Sequence, residues 1–190
     1  FAQVIAARLG PEDVPEDEAA AALGRALAPD PTARGLSAAA PFTGRLNLYA
    51  LCGGVLRVDR ARVDAVNALD EAVTLATLDD YARVHPRQMV ATVKIIPYAA
   101  PRAAVEAAAA LLAAGEALRV HPVRLRSAAL VLTATPGMKP ALLDKGAEAL
   151  ANRLAALGVS VAGEMRVAHE TAALAEALTA APGEAVLVLG

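Results

Sequence analysis

The chain has 190 residues, 56% of them hydrophobic and 3% aromatic, which is enough for one large domain or two small ones. Its 18 Lys and Arg residues face 20 Asp and Glu residues, so no global basic excess exists to neutralise a nucleic-acid backbone. The single cysteine excludes an internal disulfide and a multi-cysteine metal site, and no apolar run approaches the roughly 20 residues of a membrane-spanning helix. We therefore expect neither nucleic acid nor a membrane as a partner.

Both ends of the chain fall in apolar runs. The first run begins at Phe1, and the last, 186–189, stops one residue before Gly190. This pattern indicates a segment of a longer polypeptide. No signal peptide is visible, and the lone Cys52 together with the lack of targeting features favours a cytoplasmic location.

The first helices of the chain carry recognisable start and stop signals. Residues 3–8 predict a short strand, and the acidic run around Pro15 predicts the first turn of a helix that ends at Ala28. Apolar residues at helical spacing predict a second helix over 59–69, with Asp59 as its N-cap.

Two strands and a helix follow. The alternating, β-rich stretches 72–79 and 88–96 predict strands, and the alanine-rich stretch 102–114 predicts a helix. The next segment, 119–126, is locally basic. We interpret it as a solvated linker strand or, alternatively, as a small anion-binding patch. Together these elements predict a smaller, mixed α+β region over residues 1–120.

The remaining segment, 121–190, alternates strands with helices. In chain order, the predicted elements are a strand at 127–132, a helix at 139–157, a strand at 159–167, a helix at 169–181 and a strand at 186–189. Apolar strands separated by helices are typical of a parallel sheet covered on both faces. The sequence therefore predicts an α/β protein whose last part is a three-layer parallel unit.

The loop after the first of these strands is the best candidate for a binding site. Ligands of parallel sheets bind at the carboxyl ends of the strands, where the N–H groups of the next helix attract anions. Thr133, Thr135 and Gly137 can line such a site, and Lys139 adds positive charge. The alternative interpretation is a plain connector between a strand and a helix.

Four further residues belong to the same predicted edge. Asp144 lies one turn into the helix, where a carboxylate is either functional or merely solvated. His169 and Glu170 begin the second helix, and Gly190 follows the last strand. No Ser-His-Asp arrangement or dinucleotide-binding glycine motif is present, so the residues themselves indicate no reaction.

The stretch 130–190 resembles the molybdopterin-binding fold of molybdopterin adenylyltransferases, molybdopterin molybdotransferases and the competence/damage-inducible family. Asp144 and Gly158 keep that family's spacing between an Asp and the Gly that ends its helix. The upstream motifs Phe42-Thr43-Gly44-Arg45-Leu46-Asn47-Leu48 and Gln88-Met89-Val90-Ala91-Thr92-Val93-Lys94-Ile95-Ile96-Pro97 resemble a bacterial subgroup, which is fused in some members to a molybdenum-cofactor nucleotidyltransferase.

The resemblance implies molybdopterin as ligand or substrate in molybdenum-cofactor biosynthesis, with Mg²⁺ or molybdate as an additional component. It also implies a cytoplasmic homo-oligomer, a fused or separate nucleotidyltransferase partner, and transferase activity of the molybdotransferase or adenylyltransferase kind. The segment 121–190 would then be the N-terminal portion of the binding domain, and Gly190 would open the family's glycine-rich phosphate loop.

The motif departs from the family at two places. Residues 134–137 read Ala-Thr-Pro-Gly, where molybdotransferases carry Gly-Asp-Glu, and His169-Glu170 replaces an Asp. Pterin binding is therefore implied more directly than catalysis. The alternatives are a non-catalytic cofactor-binding or sensing module of a larger protein, and an enzyme acting on a nucleotide derivative.

Overall fold

A computed structural model describes residues 8–190, which divide into two compact units. The first unit extends to Pro122, and the second comprises Val123–Gly190. The boundary therefore lies two residues beyond the one predicted at residue 120. The strand predicted over 3–8 lies outside the described residues apart from Arg8.

The described part of the first unit contains nine strands, three helices and a 3-10 turn at Thr32–Arg34. The strands are β1 (Asp13–Pro15), β2 (Leu36–Ala38), β3 (Arg45–Ala50), β4 (Gly54–Val58), β5 (Val73–Thr77), β6 (Arg83–Val84), β7 (Met89–Ile95), β8 (Ala99–Pro101) and β9 (Leu118–Pro122). The helices are α1 (Glu16–Leu27), α2 (Arg60–Asn67) and α3 (Arg102–Ala113). The predicted helices over 59–69 and 102–114 and the strands over 72–79 and 88–96 are confirmed.

Antiparallel pairing organises this unit. One sheet has the order β2-β3-β7-β5, a second has the order β6-β4-β9, and β1 pairs with β8. Alternation along β4 and β7 turns Leu56 and Val93 into a continuous apolar core, which also contains Leu23 and Leu27 of α1. The start of the basic segment 119–126 is thus a paired sheet strand, β9, rather than a linker.

The starts of α1 and α2 follow from local chemistry. Asp59 Oδ1 accepts a hydrogen bond from the backbone N–H of Arg62 at 3.1 Å, which confirms the predicted N-cap of α2. Pro15 is the N-cap of α1 and lies just before its first turn, which carries Glu16, Asp17 and Glu18 at the positive end of the helix dipole.

The second unit follows the predicted order of elements. It consists of β10 (Ser127–Ala134), α4 (Pro140–Ala155), β11 (Ser160–Ala168), α5 (Thr171–Ala180) and β12 (Ala185–Leu189). The three strands form one parallel sheet in the order β11-β10-β12. Parallel strands joined by helices confirm the α/β class of this unit.

The central strand β10 contributes much of the core of the second unit. Leu130 and Leu132 are buried on the side where Leu143 and Leu150 of α4 pack. Val131, which points to the opposite side of the sheet, is also fully buried. Among the described residues, no helix combines the length and apolar character needed to cross a bilayer.

Candidate functional site

The carboxyl ends of the three parallel strands bring Thr133, His169 and Gly190 together. Thr133 is the penultimate residue of β10, while His169 and Gly190 each follow directly after the last residue of a neighbouring strand. In the register of the sheet, Leu132 pairs with Leu189, so Gly190 emerges beside Thr133. These three predicted residues therefore form one cluster, which we call the strand-end cluster.

A side-chain hydrogen bond joins the two polar members of the strand-end cluster. Thr133 Oγ1 lies 2.7 Å from His169 Nδ1. The Thr133 residue is only 2% exposed, whereas His169 is exposed. The backbone N–H of His169 also donates to the carbonyl of Ala134 at 2.9 Å, which orients the imidazole from a second point. Because Nδ1 is engaged, Nε2 is the ring nitrogen that can meet a ligand.

Gly190 is the third member of the strand-end cluster, and the space beside it has no room for a side chain. A Cβ built on Gly190 would lie 2.8 Å from Thr133 Oγ1 and 3.2 Å from His169 Cε1. Carbon atoms in proteins do not approach that closely without displacement of a neighbour. The backbone after β12 therefore passes close to the Thr133–His169 pair only because residue 190 has no side chain.

The loop that leads into α4 is exposed and carries the predicted cation. A turn is closed by the N–H of Met138, which donates to the carbonyl of Thr135 at 3.1 Å, and Gly137 has a φ of +83° that suits glycine. Lys139 is the N-cap of α4 and Pro140 its first residue. The loop is shorter than predicted, because Thr133 and Ala134 still pair with β11.

The first turn of α4 presents a positive end. It has no side-chain cap and no acidic residue. The free N–H groups and the helix dipole are therefore not neutralised within the helix, and the exposed Lys139 adds a full charge. The side chains of Thr135 and Lys139 make no hydrogen bond to the strand-end cluster, so they form a separate group on the same edge.

Asp144 belongs to a different cluster, on the α4 side of the sheet. Its Oδ1 accepts a hydrogen bond from Arg166 Nη1 at 2.7 Å, and the same guanidinium binds Glu164 Oε1 at 2.7 Å. The hydrogen bonds that Arg166 donates to Glu164 and then to Asp144 raise the pKa of Arg166 above its usual value. The carboxylate of Asp144 is thus neither free nor simply solvated.

Arg166 and Glu164 are residues that sequence reasoning missed. Both lie on β11 two positions apart, so the alternation of a strand directs them to one face. That alternation was readable in the sequence, but their proximity to Asp144 depends on how α4 packs against β11.

Glu170 is placed outside the helix that it was predicted to begin. It is the extended N-cap of α5, which starts at Thr171, because the N–H groups of both His169 and Glu170 donate to carbonyls at the strand end. Its side chain makes no capping hydrogen bond and is exposed. The Glu170 carboxylate therefore lies at the same edge as His169, but among the described residues it makes no hydrogen bond or ion pair that indicates a role there.

A divalent cation needs a cluster of ligands around it. Within residues 8–190, no three His, Cys, Asp or Glu side chains gather closely enough to hold a metal ion. Hard cations such as Mg²⁺ need several oxygen ligands, and the Asp144 carboxylate is bonded to Arg166. The described side chains therefore do not fit a Mg²⁺ site.

No family model, curated protein or solved structure matches the chain.

Proposed function

We propose that the second unit binds molybdopterin, a phosphorylated pterin, as part of molybdenum-cofactor biosynthesis. The observation that carries the proposal is the convergence of Thr133, His169 and Gly190 at the carboxyl ends of all three parallel strands. This edge is where open parallel sheets bind their ligands. The proposed fold is the three-layer molybdopterin-binding fold, with α4 and α5 on opposite faces of the sheet.

The residues at this edge suit the two chemical parts of such a ligand. The uncapped N-terminus of α4 and the charge of Lys139 favour the terminal phosphate. His169 Nε2, oriented through the bond from Nδ1 to Thr133, is available to the polar edge of the pterin. The missing side chain at Gly190 lets the ligand and the backbone approach each other.

One observation favours a role in binding without catalysis. Asp144 is the predicted acidic residue of the site, and it is bonded to Arg166 at 2.7 Å. This ion pair gives the Asp144 carboxylate a structural partner, and no described hydrogen bond joins it to the strand-end cluster. We therefore propose a module that holds or transfers the cofactor. Transferase activity, homo-oligomerisation and a nucleotidyltransferase partner remain predictions.

The direct test is calorimetric titration of the chain with molybdopterin, supported by fluorescence of any pterin that co-purifies. We expect saturable one-site binding to the folded protein. No binding by protein whose circular dichroism shows the native fold would overturn the proposal. Binding of a nucleotide derivative in place of molybdopterin would support the alternative ligand at the same phosphate position.

Two lysines of α4 provide a matched pair of variants. Lys139→Ala removes the charge at the N-terminus of the helix, whereas Lys145→Ala removes the same charge nearly two turns further along. We expect Lys139→Ala to weaken molybdopterin binding about tenfold, because a charge-assisted bond to phosphate contributes about 1.5–3 kcal/mol. Equal affinities of the two variants for molybdopterin would show that Lys139 does not contact the ligand.

Asp144→Asn tests the alternative that the second unit is a transferase in which Asp144 takes part in the reaction. If the carboxylate only orients Arg166, the variant should bind molybdopterin with unchanged affinity. A loss of turnover with intact binding would instead assign Asp144 to a reaction and would contradict the non-catalytic module.

A further inference from the structure

The first unit contains a polar cleft that the proposed pterin site does not involve. Its volume is about 530 Å³, which is sufficient for a small organic anion. Charged side chains dominate its lining, which consists of Arg57, Val58, Asp59, Arg60, Asp80, Glu116, Arg119 and His121.

A basic face of the sheet β6-β4-β9 forms one wall of this cleft. In the antiparallel register, Arg57 of β4 lies directly opposite Arg119 of β9, and Val55 lies opposite His121. Strand alternation directs Arg57, Arg119 and His121 away from the buried Leu56 and toward the same side. Like charges directly opposite each other destabilise a sheet, so this arrangement needs nearby carboxylates to offset the repulsion.

Two carboxylates hold the guanidinium groups in position. Asp80 Oδ1 accepts from Arg57 Nε at 3.0 Å and from the N–H of Val58 at 2.8 Å. Glu116 accepts from Arg119 Nε at 2.8 Å and from its Nη2 at 2.6 Å. These bonds keep the pKa of both carboxyl groups below the usual range. Arg57 and Arg119 are therefore oriented before any ligand arrives, which lowers the entropic cost of binding.

One arginine that lines the cleft has no ion pair. Asp80 is paired with Arg57, Glu116 with Arg119, and Asp59 with Arg62, whose Nε lies 3.1 Å from Oδ2. Within residues 8–190, the side chain of Arg60 makes no hydrogen bond or ion pair, so its donors are available to an anion.

We infer that this cleft binds a small phosphate ester, with Arg60, Arg57 and Arg119 contacting the phosphate. Guanidinium groups match the oxygen geometry of phosphate and hold it through paired hydrogen bonds. Beside the cleft, the ring of Tyr81 is 65% exposed and lies 4.2 Å from Arg57 Cζ. The Arg57 guanidinium covers one face of this ring, and the exposed remainder offers an aromatic surface next to the cations, so the organic part of the ester is a planar base and the ligand class is a nucleoside monophosphate.

The experiment is a titration of the chain with AMP, ribose 5-phosphate and inorganic phosphate, monitored by calorimetry at low ionic strength. We expect the affinity to decrease in that order, because only AMP offers both the phosphate and the base. A higher affinity for ribose 5-phosphate than for AMP would contradict the role of Tyr81. No heat of binding from any of the three probes would overturn the proposal.

A matched pair of arginine variants locates the binding site. Arg60→Gln should weaken AMP binding about tenfold, because one charge-assisted contact to phosphate is lost. Arg25→Gln removes another exposed arginine, on α1 and outside the cleft, and should leave the affinity unchanged. Equal effects of these two variants would show nonspecific attraction and overturn the proposal.

Lys139→Ala separates this cleft from the site in the second unit. We expect it to leave AMP binding unchanged. If it abolished AMP binding while Arg60→Gln did not affect it, the phosphate would belong to the N-terminus of α4 and the cleft proposal would be wrong. Failure of AMP to bind would leave the molybdopterin titration unaffected, because that titration concerns the other unit.

Discussion

The two units place their polar groups differently with respect to their cores. In the first unit, a large apolar core lies between antiparallel sheets and three helices, and ion pairs such as Arg57–Asp80 lie at its surface. In the second unit, the core is small and centred on β10, and a polar cluster begins where β10 ends, at the buried Thr133. In a small parallel unit, the strand that contributes most to stability also positions the candidate site.

This difference has a consequence for stability. The second unit spans 123–190, and domains of that size bury a smaller fraction of their surface than larger ones. Its sheet has exposed side chains along β11 and at the end of β12. Substitutions in β10 are therefore expected to affect both folding and binding of the second unit, whereas the first unit should tolerate changes at its charged surface.

The largest expected effect comes from truncating the central strand. Leu130→Ala should destabilise the second unit by about 2–5 kcal/mol, because it leaves a cavity between β10 and α4. Leu56→Ala is the matched change in the first unit, where Leu56 is equally buried. Hydrogen exchange measured by mass spectrometry should show faster exchange confined to the unit that carries each substitution. Exchange that accelerates equally in both units would contradict independent cores.

A glycine pair in the first unit gives the next largest effect. A Cβ on Gly54 would collide with the backbone carbonyl of His121 on the neighbouring strand, whereas one on Gly53 would meet its nearest atom at 3.7 Å. We expect Gly54→Ala to destabilise the first unit by about 1–3 kcal/mol, since backbone must move. Urea denaturation of the two alanine variants measures the difference. Equal midpoints would show that β4 and β9 are not packed as described.

Thr133→Val tests the coupling of the site to β10. The variant keeps the shape of the side chain but removes the hydrogen bond to His169 Nδ1, which should cost about 0.5–1.5 kcal/mol of stability. Molybdopterin affinity should decrease as well, because the imidazole is no longer oriented. The readout specific to positioning is the tautomer of the His169 imidazole, read from its ring ¹⁵N chemical shifts in both proteins. Unchanged ring shifts with unchanged affinity would make the Thr133–His169 bond purely structural.

The smallest expected effect concerns pH and the surface of the first unit. The N–H of Val58 and then the Arg57 guanidinium lower the folded-state pKa of Asp80. Its contribution to stability is therefore present above the unfolded-state pKa of about 4 and is lost as the pH falls through the lower folded value. The stability difference between wild type and Asp80→Asn should decrease between pH 5 and pH 2, as measured by urea denaturation. A difference that stays constant with pH would contradict the role of the charge.

Several elements were predictable because their signals are local. Alternation over 88–96 marks β7, and the spacing of apolar residues after Asp59 marks α2 with its cap. The alternating order of strands and helices over 127–189 was sufficient to predict a parallel sheet. The same order placed Thr133, His169 and Gly190 at one edge, because strands of a parallel sheet all end on the same side.

Other elements were not predictable, because they depend on partners distant in the chain. β9 carries a basic segment and is a strand because it pairs with β4, and β1 exists through its pairing with β8. Helix α5 starts at Thr171 rather than at the predicted His169, because carbonyls at the strand ends accept hydrogen bonds from the N–H groups of His169 and Glu170.

The sequence by itself determined the alternation of elements, the caps and the composition of the strand ends, since these depend on neighbours within a few residues. Only the tertiary structure decided that Asp144 is bonded to Arg166 and that Arg57 lies opposite Arg119. Ion pairs and strand register join residues that are far apart in the chain. Their contacts are set by the packing of whole elements, and no local pattern of side chains contains that information.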